Sequence, residues 1–276
     1  MFYSRLRVKC GEDFTEILMA ELAEAGFDSF IETNDGFEAY VEMEQYDKGL
    51  VPVVIEKYKS VTPLTIEADR VEKQNWNEEW EKNYEPVIVD GRCRIRASFH
   101  PSNSQYEREI IITPKMSFGT GHHQTTYLML RHQLDIGFRN KRVMDAGCGT
   151  AILSIMASLS GASEVFAFDI DDWSIENGSE NISENGCSNI TLQKGKIGEL
   201  NIQGKFDIIL ANINKNVLLA EINVYQTFLR ENGLLLISGF YVDDIDELVR
   251  ECERFAMVEE RREEKDNWAS LQFRKR

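Results

Sequence analysis

The sequence predicts an α/β chain in two parts: a small α+β, ferredoxin-like domain, then a doubly wound, Rossmann-like sheet. Three observations carry this. The first 70 residues run in the order β-α-β-β-α-β, residues 141–169 read as strand, glycine turn, helix and strand, and further apolar strands follow at 206–211 and 232–241.

In the first part, FYSRLRVK (2–9) alternates as a half-buried strand does. EDFTEILMAELAEAGF follows, with Phe14, Leu18 and Leu22 at helical spacing and Gly26 as a stop. DSFIET and FEAYVEM flank Asn34-Asp35-Gly36, a hairpin signal because Asp-Gly supports a turn with positive φ. GLVPVVIEKYKS is a second helix with Pro52 in its first turn, and LTIEADRV a last strand. Residues 1–70 are thus expected to form one domain of the split β-α-β type. Residues 71–85 form a linker or connecting helix, on which Trp76, Trp80 and Tyr84 share a face as packing residues. Residues 86–276 form the larger domain, opening with the strands CRIRASF and EREIIITP and closing with an antiparallel pair, FAMVEERREE and WASLQFRKR, at the sheet edge.

The chain has 276 residues and a net charge of −16, from 31 Lys+Arg against 47 Asp+Glu. That charge argues against direct nucleic-acid binding, which relies on neutralising phosphates. It favours a basic partner or none. Residues 1–70 carry 15 acidic and 7 basic side chains, about half the net charge, and are read as a docking face for a basic macromolecule. No apolar run approaches the ~18 residues of a membrane span, and the start lacks the apolar run of a signal peptide, so no membrane association is expected. The five cysteines are scattered and odd in number, which suits a reducing cytoplasm. A monomer is expected.

The cofactor plan lies in KRVMDAGCGTAILSIMASLSGA (141–162), where Gly147 and Gly149 occupy the turn, and in EVFAFDID, where Asp169 ends a strand. A carboxylate about 20 residues beyond such a turn accepts hydrogen bonds from ribose hydroxyls. The third glycine of a dinucleotide site is missing, and Asp145 precedes the turn. A carboxylate there repels a pyrophosphate and favours a cation. S-adenosylmethionine, cationic and without phosphate, fits better than NAD. Asn212, after the strand 206–211, stands where open α/β sheets bind ligands. Two readings from other classes stay open: a NAD-dependent oxidoreductase and a non-catalytic S-adenosylmethionine-binding adaptor. His122 and His123 are adjacent and diverge, with no third ligand at metal spacing, so no metal site is expected.

FGTGHHQTT (118–126), VMDAGCGTAILSIMA, AFDIDDWSIENGSENISENG and LANI, at these spacings, resemble the class I methyltransferase family that acts on large-subunit ribosomal protein eleven. The resemblance implies a seven-stranded sheet, an N-terminal substrate-recognition domain, S-adenosylmethionine as cofactor and methylation of lysine side chains or the N-terminus of that basic ribosomal protein. A class I enzyme acting on another protein or a small molecule is the nearest alternative. The resemblance places Thr126, Gly147, Asp169 and Asn212 at cofactor-binding positions, with Phe118, Gly119, Thr120 and Gly121 around the methionine end. Asp145, Gly149 and Ile170 join the candidate cofactor set. Three departures stand out: Gln124 in place of a proline, Ala151 in place of a common glycine, and Asn214-Lys215-Asn216 after LANI. Asn212 (positioning) and Phe118 (desolvation) are the candidate catalytic residues, and no general base is assigned.

Overall fold

The computed structural model describes residues 2–11, 14–42, 49–72, 84–115 and 117–276, and the chain divides into two compact units, residues 1–83 and 84–276. In the first unit, strands β1 (Phe2–Lys9), β2 (Ser29–Thr33), β3 (Gly36–Glu42) and β4 (Thr65–Glu72) form an antiparallel sheet in the order β2-β3-β1-β4. Helices α1 (Thr15–Glu24) and α2 (Leu50–Tyr58) connect it in the ferredoxin-like order. Alternation divides the sheet: Leu6, Val8, Phe37, Ala39 and Val41 join Leu18, Leu22 and Val54 in the core. Arg5 and Arg7 point the other way, where Arg5 pairs with Asp69 at 2.6 Å and Arg7 with Glu38 at 3.1 Å. The hairpin is present, but its glycine serves another purpose than the one read from sequence. The turn is Asn34-Asp35, neither with positive φ, while Gly36 (φ +147°) pairs with Thr33 inside β3. A Cβ there would stand 2.0 Å from the Val8 carbonyl oxygen, so the glycine lets β1 approach.

Trp76 and Trp80 lie outside the described residues. Tyr84 is in irregular chain, with its ring among those of Phe99, His100 and His122.

The second unit opens with a three-stranded sheet, β5 (Val87–Val89), β6 (Cys93–Arg96) and β7 (Arg108–Ile111). Asp90 (φ 52°) and Gly91 (φ 66°) turn β5 into β6, an Asp-Gly signal the sequence reading passed over. Arg94 and Arg96 are buried because Glu109 bridges them at 3.0 and 2.9 Å.

The main sheet has seven strands in the order β10-β9-β8-β11-β12-β14-β13. They are β8 (Arg142–Ala146), β9 (Glu164–Asp169), β10 (Ile190–Lys194), β11 (Phe206–Asn212), β12 (Leu229–Tyr241), β13 (Met257–Lys265) and β14 (Trp268–Lys275). The first five run parallel; β14 is antiparallel to both β12 and β13. Five helices accompany them: α3 (Gln124–Leu134), α4 (Ile152–Leu159), α5 (Asp172–Glu184), α6 (Lys215–Phe228) and α7 (Ile245–Glu253). Residues alternate between two cores. Val143, Val165, Ile208 and Leu210 pack with α3 and α4, while Met144, Phe166, Ile209 and Ala211 pack with α6 and α7. Burial on both faces makes these strands nearly continuous apolar runs. Strand order reverses between β8 and β11, and that crevice is where such sheets bind ligands.

Candidate functional site

A cavity of about 590 Å³ opens at this reversal point. Its floor is the turn after β8. Gly147 and Cys148 donate their N–H groups to the Phe168 carbonyl, at 2.9 and 3.1 Å, which locks the turn to β9. Gly147 (φ 67°) and Gly149 (φ 53°) use a conformation costly for other residues, and space excludes a side chain at both. A Cβ on Gly147 would stand 2.4 Å from Ile213 Cγ2, and one on Gly149 2.4 Å from the Phe118 carbonyl oxygen. Ala151 (φ 62°) takes up the same left-handed conformation before α4, which is the physical reason a glycine is common there.

The loop 117–123 covers the turn. The Phe118 carbonyl accepts from Thr150 N at 3.0 Å and the Gly119 carbonyl from Thr150 Oγ1 at 2.6 Å. Phe118 is half exposed and stacks edge-on with His123, which meets Trp268 in turn. The His123 ring caps α3, accepting from Thr125 N, and burial lowers its pKa. The two histidines diverge: His122 contacts the Tyr84 hydroxyl and the Glu85 carbonyl, both at 3.3 Å. Gln124 begins α3, and its amide donates to Asp266 at 3.2 Å. The loop that lost a proline is therefore tethered to the β13–β14 turn.

Thr126 is fully buried and its hydroxyl accepts a long, 3.5 Å hydrogen bond from Asn212 Nδ2. Asn212 Oδ1 is buried and has no partner among the described residues. At the opposite wall, Asp169 accepts from Gly149 N at 2.9 Å and from Asp171 N at 3.1 Å, one bond on each oxygen.

Of the sequence-nominated residues, Phe118, Gly119, Thr126, Gly147, Gly149, Asp169, Ile170 and Asn212 line the cavity. Thr120, Gly121 and Asp145 do not. Thr120 contacts His122 and Gly121 rests on Ile95. Asp145 is fully buried beneath the turn, where Ser154 Oγ donates to it at 2.6 Å, and burial pushes its pKa up to about 7. Asp145 is therefore too deep to set the charge that a ligand in the cavity meets. The cavity wall supplies a replacement: Asp169, Asp171 and Glu221 outnumber Lys196, a surface that suits a cation and repels a pyrophosphate.

Sequence reasoning missed Glu221, Lys196, Asp171, Ser174 and Trp268 in this wall. Glu221 had a signal, since it shares the inward face of α6 with buried Leu218, Ile222 and Tyr225. Also missed was an asparagine ladder at i, i+4, i+8. Asn181 binds the Thr150 carbonyl and Thr113 N, each at 3.0 Å, and Asn185 binds both backbone groups of Ile111. Asn177, the first rung, accepts from Asn181. The ladder fastens the turn and the β7 exit to α5. The residues after LANI are used by the fold: Asn214 caps α6, and Lys215 is held by Asp244 and Glu247 at 2.8 and 3.2 Å. Among the described residues no group of three or more His, Cys, Asp or Glu is placed to hold a metal ion, and no helix is long and apolar enough to cross a membrane.

A seven-stranded sheet with this order, its antiparallel β14 between β12 and β13, and a glycine-turn cavity at the reversal define a class I methyltransferase. Residues 14–276 match the family model described as ribosomal protein L11 methyltransferase. A protein of that name from Bacteroides thetaiotaomicron is 40% identical over 266 residues, 96% of this chain and 95% of its own. One from Porphyromonas gingivalis is 40% identical over 260 residues, 94% and 90% of the two chains. The crystal structure of ribosomal protein L11 methylase from Lactobacillus delbrueckii subsp. bulgaricus aligns with a TM-score of 0.64 at 29% identity, covering 70% of this chain and all of that one. The chain belongs to the ribosomal protein L11 methyltransferase family, as the motifs had suggested.

Proposed function

We propose that the chain transfers methyl groups from S-adenosylmethionine to amino groups, lysine side chains or the N-terminus, of ribosomal protein L11 in the cytoplasm. The observation that carries this is the negatively lined cavity between the glycine turn and Asn212, in a chain of this family. The fit to S-adenosylmethionine rests on three features. Two glycines leave the floor bare where any Cβ would collide, Asp169 presents a carboxylate at the β9 end, and Asn212 Oδ1 is an orphaned acceptor in the wall.

Gly147 and Gly149 would let the cofactor approach the backbone, Asp169 would accept from its ribose hydroxyls, and Thr126, Asn212, Phe118 and Ile170 would flank it. When bound, S-adenosylmethionine supplies a methyl group made electrophilic by its sulfonium. The residues of this chain have to deliver a neutral amine to it. Deprotonating a lysine at pH 7 costs about 4–5 kcal/mol, from a reference pKa near 10.4 and 1.36 kcal/mol per unit. Asn212 Oδ1 can accept a hydrogen bond from the amine nitrogen and orient its lone pair without adding charge. Phe118 and Trp268 line the cavity and would shield a bound amine from water, so that its ammonium form is less well solvated and releases its proton more readily.

The first unit is the proposed recognition domain. Among its described cations, Arg5, Arg7, Lys9, Lys57 and Lys59 each pair with an acid of the same unit. Glu16, Glu24, Glu32 and Glu67 are exposed and in none of these pairs, a surplus that suits a basic protein. Replacing these four with lysine is expected to weaken docking and its salt dependence while leaving cofactor binding intact. Mass spectrometry of ribosomal proteins from a strain lacking this chain tests the whole reading: L11 should lose methyl groups there, and fully methylated L11 would refute it.

A further inference from the structure

Glu221 stands apart among the cavity carboxylates. Asp169 spends each oxygen on a backbone N–H, and Asp171 caps α5 by accepting from Trp173 N at 3.0 Å. Glu221 has neither duty. It lies seven residues along from the capping residue Asn214, on the face that places Val217 in the cavity wall and Leu218 and Ile222 in the core. A carboxylate on that face has to be compensated. One compensation is present: the hydroxyl of Tyr225, one turn on, donates to Glu221 Oε2. Tyr225 is fully buried, so this hydroxyl has been taken out of water to hold the carboxylate in place. Burial and the neighbouring carboxylate raise the tyrosine pKa, so it stays a donor. The opposite charge is missing. Among the described residues no cation forms an ion pair with Glu221, and the nearest lysine in sequence, Lys215, is engaged by Asp244 and Glu247. Glu221 lines the cavity together with Gly147, Ile213 and Gly239.

We infer that Glu221, held by Tyr225, is the ammonium-binding carboxylate of this cavity, the part that Asp145 cannot play from beneath the turn. The inference rests on the methyltransferase reading above. Two ligands of that reaction carry an ammonium: the amino-acid end of S-adenosylmethionine and the acceptor amine of L11. The carboxylate recognises the shared group, and the experiment separates the sources.

Glu221→Gln keeps the shape and removes the charge. It is compared with wild type, Glu221→Asp and Tyr225→Phe by calorimetric titration of S-adenosylmethionine and by steady-state methylation of L11, with unchanged melting as the check on folding. Loss of a charge-assisted hydrogen bond is expected to weaken one of the two by roughly 10–100-fold. A higher Kd for S-adenosylmethionine with KM for L11 unchanged assigns the cofactor's ammonium. A higher KM for L11 with that Kd unchanged assigns the acceptor's, and the pH at which kcat rises should then move down, because a carboxylate beside an amine raises its pKa. Glu221→Asp should recover part of the loss, and Tyr225→Phe should lose less than Glu221→Gln. Unchanged Kd and KM in Glu221→Gln would overturn the inference. Wild-type protein that binds S-adenosylmethionine but leaves L11 unmodified would sink the acceptor reading alone, and the calorimetric arm would then decide the inference. Wild-type protein that binds no S-adenosylmethionine would sink both.

Discussion

Asp145 and Asp169 belong to neighbouring parallel strands, flank the same glycine turn and have opposite fates. Asp145 pairs in register with Ala167, two residues short of Asp169. Those two residues of depth put Asp145 wholly inside the protein and leave Asp169 on the cavity wall. Buried, Asp145 keeps one oxygen on Ser154 and the other without a partner among the described residues, and its pKa climbs to about 7. Asp169 is fixed by two backbone N–H groups and remains available to a ligand. A motif carboxylate is thus defined by its depth along the strand as much as by its place in the sequence.

The largest effect expected to separate the two aspartates is a pH dependence. Asp145 has a folded pKa near 7 against about 3.8 unfolded, so the folded state binds the proton more tightly. Its contribution is fully present below about pH 4 and is lost as pH rises through 7, by up to about 4 kcal/mol over some three units. Denaturant unfolding at a series of pH values should show this fall in wild type and its absence in Asp145→Asn. A parallel fall in both would mean Asp145 is not protonated in the folded protein. Next in size is Gly149→Ala, which places a Cβ 2.4 Å from a backbone oxygen at φ 53° and should cost about 2–4 kcal/mol of stability. Gly91→Ala has a similar φ with nothing within 4 Å and should cost only about 1 kcal/mol. Equal losses in the two melts would contradict the collision. Asp169→Asn should weaken S-adenosylmethionine by about 1–3 kcal/mol in calorimetry, more than Asp145→Asn does. The reverse order would exchange the roles of the two aspartates. Ser154→Ala is the smallest, about 1 kcal/mol. It removes the bond that favours the charged form, so the fall in stability, which begins near pH 4 in both proteins, should continue to higher pH than in wild type, and a fall that ends at lower pH would contradict the assignment.

The fold was largely legible because its signals are local. Each element of the β-α-β-β-α-β order, the glycine turn and each strand of the antiparallel tail declares itself within about a dozen residues. Gly36 shows the limit: its dipeptide named a turn, while its cause is the approach of β1, from far along the chain. The site was less legible because it depends on depth and on which way a side chain points. Asp145 and Asp169 look alike in sequence until register separates them. Glu221 is one acid among many until helix α6 turns it inward, and Trp268 reaches the cavity only because β14 inserts between β12 and β13. Gly121 and Thr120, carried by a motif, stand outside the cavity lining, near Ile95 and His122.

The central claim is tested most directly by incubating the purified full-length chain with S-adenosylmethionine and unmethylated ribosomal protein L11 and measuring the intact mass of L11. The account predicts a rise in steps of one methyl group, located on amines by peptide mapping and absent without S-adenosylmethionine. An unchanged L11 mass, under conditions where calorimetry shows S-adenosylmethionine bound, would contradict it.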